Sequence, residues 1–468
     1  MASVAQVGTH VVRVLILPIP SPFLECNVAG MSMNPPNEAL LTLDDARQWV
    51  LDRCPAPSPE PVPVGQAHGL VLAEDAISSE QVPPFANTAM DGFAVIAADT
   101  AAAGPDSPVD LVVVGTIAAG AGPGESPLSP GQAIRIMTGA PMPPGADAVV
   151  PVESTRRGRV PAAGSTDEGS VLIVRAATAG DCIRPAGEDL DTGQLAFVAG
   201  TRLVAGHLGV LASIGIHEVL TWRRPVVGVL STGDELVEAP TPLGPGQIRD
   251  SNRLTLLGLV REAGCEPLDL GLVRDDEVEI AQRITDGLSR CDALVTSGGV
   301  SMGDFDFIKV VLNRLSAQSS EPMRWMQIAI KPAKPLAFGI VQGKPVFGLP
   351  GNPVSSMVSF ELFARPALRR MMGYDLHPDG PKRPLLPAIA PEGLSRSIDG
   401  KTHLVRVKVS MSTSGPNTGR LEARPLRGQA SNLLRSMALA NALAVVPDGP
   451  GIAAGGETQV LLLGELGD

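Results

Sequence analysis

Between Arg224 and Met372 the chain alternates strand-like and helix-like stretches, and this alternation constrains the fold more than any other feature. "PVVGVLSTG" reads as a buried strand, and "SNRLTLLGLVREAG" as a helix capped by Ser251 or Asn252 and closed by Gly264. "PLDLGLV" is a strand, the next helix carries Ile280, Ile284 and Leu288 on one face, and "DALVTSGG" is a third strand. A helix over 305–315, the strand in "PVFGLPG" and a helix over 353–372 complete the run. Strand and helix in turn call for a mostly parallel sheet covered on both faces, with ligands at the carboxyl ends of its strands.

The flanking sequence has a different texture. "TLDD" from Thr42 opens a helix whose Leu43, Ala46 and Val50 recur at helical spacing, and the proline-rich residues 54–65 end it. Short β-like runs between Gly/Pro turns ("LVVVGTI", "QAIRIMTG", "DAVVPVE", "SVLIVRA") predict an all-β insert. Strands such as "HLVRVKVSM" and "ALAVVPD" predict a β-rich C-terminal domain. The expected division is a disordered extension over 1–33, one N-terminal linker domain from 34–84 and 181–223, an inserted β domain over 85–180, the α/β domain over 224–377, and a C-terminal β domain over 378–468. A chain of 468 residues is long enough for three or four domains.

Charge and cysteine usage exclude several functions. A net charge of −12 argues against a general nucleic-acid or anionic-membrane surface, so any anion site must be local. Five cysteines, scattered and without a CxxC, predict a reducing compartment with neither a disulfide frame nor a zinc site. No apolar run approaches the roughly 20 residues of a transmembrane span, and a cytoplasmic location is expected.

Two groups of loop residues then carry the chemistry. "STGDEL" (231–236) and "SGGVSMGDFDF" (297–307) each follow a strand, and Ser297, Gly298 and Gly299 permit a tight turn beside a ligand. Asp234, Glu235, Asp304 and Asp306 should converge at that rim, where hard carboxylate oxygens suit Mg²⁺, although ordinary polar loop chemistry accounts for any one of them. In "KPAKP" each lysine precedes a proline, so the segment should be extended, with Lys331 and Lys334 on one side of a polyproline-like turn. In "LPGNPVS", Pro350-Gly351 suits a turn, Asn352 a helix N-cap and Pro353 the first helical position. The amides near Ser355 should then face an anion, and lysines plus helix start predict a pocket for a small oxyanion.

At these residues the chain resembles the molybdopterin molybdenumtransferase family, which includes MoeA and the E domain of gephyrin. The matching stretches are "PPFANTAMDGFAV" (83–95), "RIMTGAPMPPGADAVVPVE" (135–153), "RPAGEDL" (184–190), "STGDEL" and "GQIRDSN" (246–252). "VTSGGVSMGDFDF" (295–307), "IKPAKPLAFG" (330–339), "GLPGNPVSS" (348–356) and "GQASNLLRSMALANAL" (428–443) complete the collinear set. The resemblance implies a multidomain α/β plus β protein: a central three-layer α/β/α molybdopterin-binding domain, an inserted β-rich domain and a C-terminal β-barrel-like domain. It assigns the N-terminal linker domain to dimerisation and implies a homodimer. The activity implied is insertion of molybdate into adenylylated molybdopterin, with Mg²⁺-dependent cleavage of the adenylate and release of AMP and molybdenum cofactor. Implied partners are the molybdopterin adenylyltransferase and apo-molybdoenzymes. A non-catalytic scaffold or carrier of the same fold is the alternative.

Site roles follow from the resemblance, position by position. Asp91 and Thr138 would reach the active cleft from the insert, across a dimer interface, although Asp91-Gly92 is also an ordinary turn pair. Arg184 and Asp189 match charged site positions, which a surface ion pair would explain equally. Glu235, Asp275 and Asp306 match the acids lining the pterin and pyrophosphate pocket, with Glu235 and Asp306 on Mg²⁺ or the attacking water. Lys331, Lys334, Pro335 and Ser355 match the molybdate pocket, framed by Pro350 and Pro353 and completed by Arg406 and Ser431; a solvent-facing strand arginine is the competing reading of Arg406. Two departures stand out. Ala333 lies where family members often carry Gly, which an extended segment would tolerate, and Arg435-Ser436 lies where many show paired serines.

Overall fold

The computed structural model describes residues 40–55, 58–160, 168–298, 300, 307–377, 380–464 and 466. The extension expected over 1–33 and the site positions Gly299, Asp304 and Asp306 lie outside the described residues.

The first helix, α1 (Leu43–Arg53), starts where the sequence places it. Thr42 Oγ1 accepts the Asp45 amide at 3.1 Å, and Asp44 and Asp45 sit in the first turn, where carboxylates favour the helix dipole. Its buried face, Ala46 and Val50, packs on a helix more than three hundred residues later: Arg47 donates from Nε to the Leu362 carbonyl at 3.1 Å.

The central sheet comprises β1 (Val226–Thr232), β2 (Glu266–Val273), β3 (Ala293–Ser297), β4 (Arg324–Gln327), β5 (Pro335–Val341) and β6 (Lys344–Leu349), in the order β2-β1-β3-β6-β5-β4. The first four in that order are parallel, while β5 and β4 extend the edge in antiparallel fashion. Helix α2 (Asn252–Glu262) covers one face, burying Leu256, Leu257 and Val260 against Val227, Val229, Val295 and Phe347. Helices α3 (Glu277–Arg290) and α4 (Phe307–Ser316) cover the other, where Ile280, Ile284 and Leu288 meet Leu230, Leu294 and Val346. The three-layer expectation therefore holds. The long helix expected over 353–372 is broken: α-helical turns at Pro353–Ser359 and Arg365–Met371 flank a π-helical stretch, Phe360–Ala364.

The flanking regions are β-rich, as expected. Strands at Glu60–Pro63, Val71–Leu72 and Glu218–Trp222 form one small sheet. Asn87–Thr88 pairs with Ile183–Arg184, and between these two strands the chain runs out into a separate six-stranded sheet. Near the C-terminus, β7 (Leu385–Ala390), β8 (Thr402–Met411), β9 (Leu421–Pro425), β10 (Ala442–Val446) and β11 (Gly456–Leu462) close into a five-stranded barrel through the β8–β10 pairing. Its interior is small and aliphatic, with Val407, Val409, Ala423, Ala442, Ala444 and Val460 buried, so the scarcity of aromatics does not leave it hollow.

Candidate active site

Neighbouring strands of the central sheet end level. Thr232 lies opposite Val273, Ser231 opposite Ser297, and Ser297 opposite Leu349, so the loops that follow β1, β2, β3 and β6 open at one rim. A cleft of about 300 Å³ lies there, lined by Thr232, Glu235, Asp250, Asn252, Ser297, Gly298, Gly351 and, from the C-terminal domain, Asn432. Gly298 has φ +97°, and a β-carbon there would come 3.2 Å from the Thr232 carbonyl oxygen, so only glycine lets the chain turn this close to its neighbour. Asn252 clasps the rim together, its Nδ2 donating to Ser297 Oγ at 2.8 Å and to the Gly351 carbonyl at 2.7 Å. Neither Ser251 nor Asn252 is the side-chain cap expected for this helix. Asp250 takes that part, accepting the Arg253 amide at 3.2 Å.

Three acids, Asp234, Glu235 and Asp275, gather beyond the ends of β1 and β2, and of these Glu235 lines the cleft. Asp234 Oδ1 lies 3.4 Å from the Asp275 amide. Burial pushes the Asp275 carboxyl above its ordinary value, and the charges of Asp234 and Glu235 add to the push. Of the four acids expected at this rim, Asp234 and Glu235 are there; Asp304 and Asp306 lie outside the described residues. Among the described residues no group of three or more His, Cys, Asp or Glu forms a ready metal cage. Mg²⁺ does not need one, since it keeps several waters and takes one or two carboxylates together with substrate phosphates. The mutual repulsion at Asp275 is the kind of donor set such a cation relieves. The linkage has a definite sign. A carboxyl whose folded pKa is raised binds its proton more tightly in the folded state, so ionising it costs stability as pH rises through the folded value. Asp275→Asn is therefore expected to stabilise the protein at pH 7, with the gain vanishing as pH falls below about 4, the unfolded aspartate value. Urea unfolding midpoints at the two pH values check this, and an equal gain at both would count against it.

The lysine segment departs from expectation. Lys331–Pro332 is a cis peptide and Ala333 has φ +77°, so the segment is not a polyproline turn and the two lysines are not set by a three-residue repeat. Ile330–Lys331 is instead a short strand pairing parallel with the start of β8, Lys331 opposite His403. Lys331 Nζ lies 3.9 Å from Asp399 Oδ2, and both lysines are exposed. Lys334 comes immediately before β5, which Pro335 begins opposite Gln327. The tolerance expected of Ala333 rested on an extended backbone and does not apply in the left-handed region. Ala333→Gly is expected to raise stability by about 0.5–1 kcal/mol, read from the urea midpoint, because the left-handed conformation costs an L-residue roughly 1–2 kcal/mol.

Pro350 is buried, and Pro353 occupies the first helical turn as expected. Asn352 makes no side-chain cap bond, and Ser355 is buried beneath the rim. One of the amides expected to be open is already engaged: Val354 donates to the Ser431 carbonyl at 3.1 Å. Arg406 is not a solvent-facing strand residue. It is fully buried, donating from Nη2 to the Gly428 and Ala430 carbonyls at 2.7 and 3.2 Å and from Nε to Ser436 Oγ at 3.2 Å. Burial pulls its pKa down, and Nη1 has no hydrogen-bond partner. Arg406 thus holds the 428–432 loop against the rim helix, which brings Asn432 into the cleft.

The insert contributes a separate pair. Asp91 Oδ1 accepts both the amide and the hydroxyl of Thr138 at 2.7 Å, and these two bonds hold its carboxyl below the usual range. Neither residue lines the cleft. Arg184 and Asp189 are exposed at the neck of the insert, Arg184 opposite Asn87, and they form no ion pair with each other. The sequence reading missed Asp250, Asn252 and Asn432 as cleft residues; the polar run "RDSN" between a strand end and an apolar helix was the available signal.

The geometry has counterparts. The family model described as the MoeA N-terminal region (domain I and II) matches residues 41–215, that of a probable molybdopterin binding domain matches 228–370, and that of the MoeA C-terminal region (domain IV) matches 395–463. A molybdopterin molybdenumtransferase of Haemophilus influenzae is 36% identical over 423 residues, 90% of this chain and 98% of that one. Molybdopterin molybdenumtransferase 2 of Mycobacterium tuberculosis is 37% identical over 426 residues, again 90% and 98%. Among solved structures, a molybdopterin biosynthesis MoeA protein from Pyrococcus horikosii superposes with a TM-score of 0.71 at 32% identity, over 91% of this chain and all of that one.

Proposed function

This chain belongs to the MoeA family, and from that membership we infer that it is a molybdopterin molybdenumtransferase, an enzyme of molybdenum cofactor biosynthesis that inserts molybdate into molybdopterin. We propose further that the pterin arrives adenylylated and that AMP leaves with molybdenum cofactor as the other product. The observation that carries the site assignment is the shared rim: acids and glycine turns from neighbouring strand ends, clasped by Asn252, face Asn432 of the C-terminal domain. A cleft of about 300 Å³ falls at the small end of the range for small-molecule sites.

In this reading the two ends of the site do different work. Glu235 and Asp306 hold Mg²⁺, which neutralises pyrophosphate charge, while Asp275 and Asp234 keep that wall negative until the cation comes. Ser297, Gly298 and the loop beginning Pro350 shape the pterin wall. Lys331, Lys334 and the start of the rim helix, with Pro335, Pro353 and Ser355 framing it, neutralise molybdate as it approaches the dithiolene. Arg406 and Ser431 position the loop that closes this end, acting through the Val354 amide and Asn432. Asp91 and Thr138, with Arg184 and Asp189, serve the cleft of the second subunit of a homodimer. The upstream adenylyltransferase and downstream apo-molybdoenzymes are the protein partners, in the cytoplasm, where the free thiols of the four described cysteines persist.

A reconstituted turnover tests the whole. Purified protein given adenylylated molybdopterin, molybdate and Mg²⁺ should release AMP only when molybdate is present and should activate an apo-molybdoenzyme. Tight pterin binding with no AMP release would instead make the chain a carrier.

A further inference from the structure

The candidate cleft is short of positive charge. Two acids line it, Glu235 and Asp250, and among the described lining residues Arg249 is the one cation. Molybdopterin ends in a phosphate, so a cleft that accepts it must hold an anion beside those carboxylates. Arg249 reaches the rim on a two-stranded parallel ribbon, Leu236–Val237 beside Ile248–Arg249, in which it lies opposite Val237. The Ile248 amide donates to the Glu235 carbonyl at 2.8 Å, so Arg249 and Glu235 belong to the same end of the cleft. The next residue anchors that ribbon: Asp250 accepts from Ser231 Oγ at 3.1 Å and from Arg253 Nε at 3.0 Å.

The two arginines of this stretch are used differently. Arg253 is buried and spends its guanidinium on Asp250, Asp269 and Glu238. Arg249 is exposed, and its side-chain hydrogen bonds among the described residues go to backbone carbonyls: Nη1 donates to Glu238 at 3.1 Å and to Thr241 at 2.5 Å. Glu238 gives Arg249 its carbonyl alone, because its carboxylate serves Arg253. These two bonds use both hydrogens of Nη1 and hold the guanidinium still. What remains is Nε and Nη2, the parallel donors along one edge, whose spacing meets two oxygens of a phosphoryl group. A staple for the 238–241 loop needs neither that edge nor the charge. In a chain of net charge −12, an arginine without a carboxylate partner among the described residues, in a cleft lined by acids, is set for an anion from outside.

We propose that Arg249 binds the phosphate end of the pterin through its Nε–Nη2 edge, and so makes the cleft prefer phosphorylated over dephosphorylated pterin; this rests on the reading of the cleft as the molybdopterin site. Anaerobic titration of the full chain with molybdopterin, and with the same pterin after phosphatase treatment, tests it. The unaltered chain should bind the phosphorylated form at least about tenfold more tightly, the lower range for hydrogen bonds to a charged group. Arg249→Ala should lose most of that ratio while holding the dephosphorylated form as before. Arg249→Lys keeps the charge without the fork and should fall between the two. Arg249, Glu238 and Thr241 are all exposed, so water can serve the two carbonyls and both variants should keep the melting temperature. A role confined to stapling the loop would weaken both pterin forms alike and leave the ratio intact, and that result would overturn the proposal. Equal affinity of the unaltered chain for both forms would do the same. Binding of neither form by the unaltered chain would go further and remove the pterin from this cleft, together with the reading beneath the proposal.

Discussion

Arg253→Ala is expected to cost about 3–5 kcal/mol of stability. The guanidinium is buried beneath the acid rim, with Nε 3.0 Å from Asp250 Oδ2, Nη1 at 2.6 and 2.5 Å from the two Asp269 oxygens, and a further contact to Glu238. Asp269 and Glu238 are half exposed and water would resolvate them, but the Asp250 side chain is 1% exposed. Removing the arginine leaves that carboxylate buried without its cation. Lysine should recover only part of the loss, because a single ammonium cannot reproduce the fork that serves Asp250 and Asp269 together. The deficit should also shrink as pH falls, since burial already pushes the Asp250 carboxyl up and a proton would replace the missing cation. A urea midpoint corresponding to less than about 1 kcal/mol would mean that the pocket admits water freely.

Lys331→Ala should do the reverse, sparing stability and removing turnover. Its side chain is 58% exposed, and among the described residues its one ion pair is the 3.9 Å contact with Asp399, so the urea midpoint should hardly move. If the ammonium neutralises molybdate during transfer, AMP release at subsaturating molybdate should drop about 10²–10³-fold, the range for losing one preorganised electrostatic group. Lys331→Arg retains the charge and should keep more activity than alanine. Unaltered molybdate dependence in Lys331→Ala would remove this residue from the oxyanion site and throw the assignment onto Lys334 and the rim helix.

The parts of this protein that were legible from sequence are those governed by local pattern. The apolar runs of β1, β2, β3 and β6 stop at glycines and acids, so the rim and the place of Asp234 and Glu235 on it followed from strand ends, whereas Asp275 entered only through the family resemblance. What escaped depends on distant neighbours. The preference of a residue before proline describes an isolated chain; around Lys331 the pairing with β8 fixes the backbone instead. Arg406 alternates with Val405 and Val407 along β8 and so reads as the wet face of a strand, yet the 428–430 carbonyls close over it. Asn252 fits the statistics of a helix cap, and nothing local shows that its amide spans to β3 and to the loop after β6.

The docking of α1 has a consequence in time. Its partner, the Leu362 carbonyl, lies 315 residues downstream of Arg47. At a synthesis rate of roughly 5–20 residues per second, about 15–60 s separate the emergence of this helix from that of the surface it covers. Throughout that interval Ala46 and Val50 face water or a chaperone, while the β insert has already been made in full. The nascent chain therefore carries a helix with an uncovered apolar face near its N-terminal end until nearly four-fifths of the protein exists, and slowed elongation through the central domain lengthens that exposure.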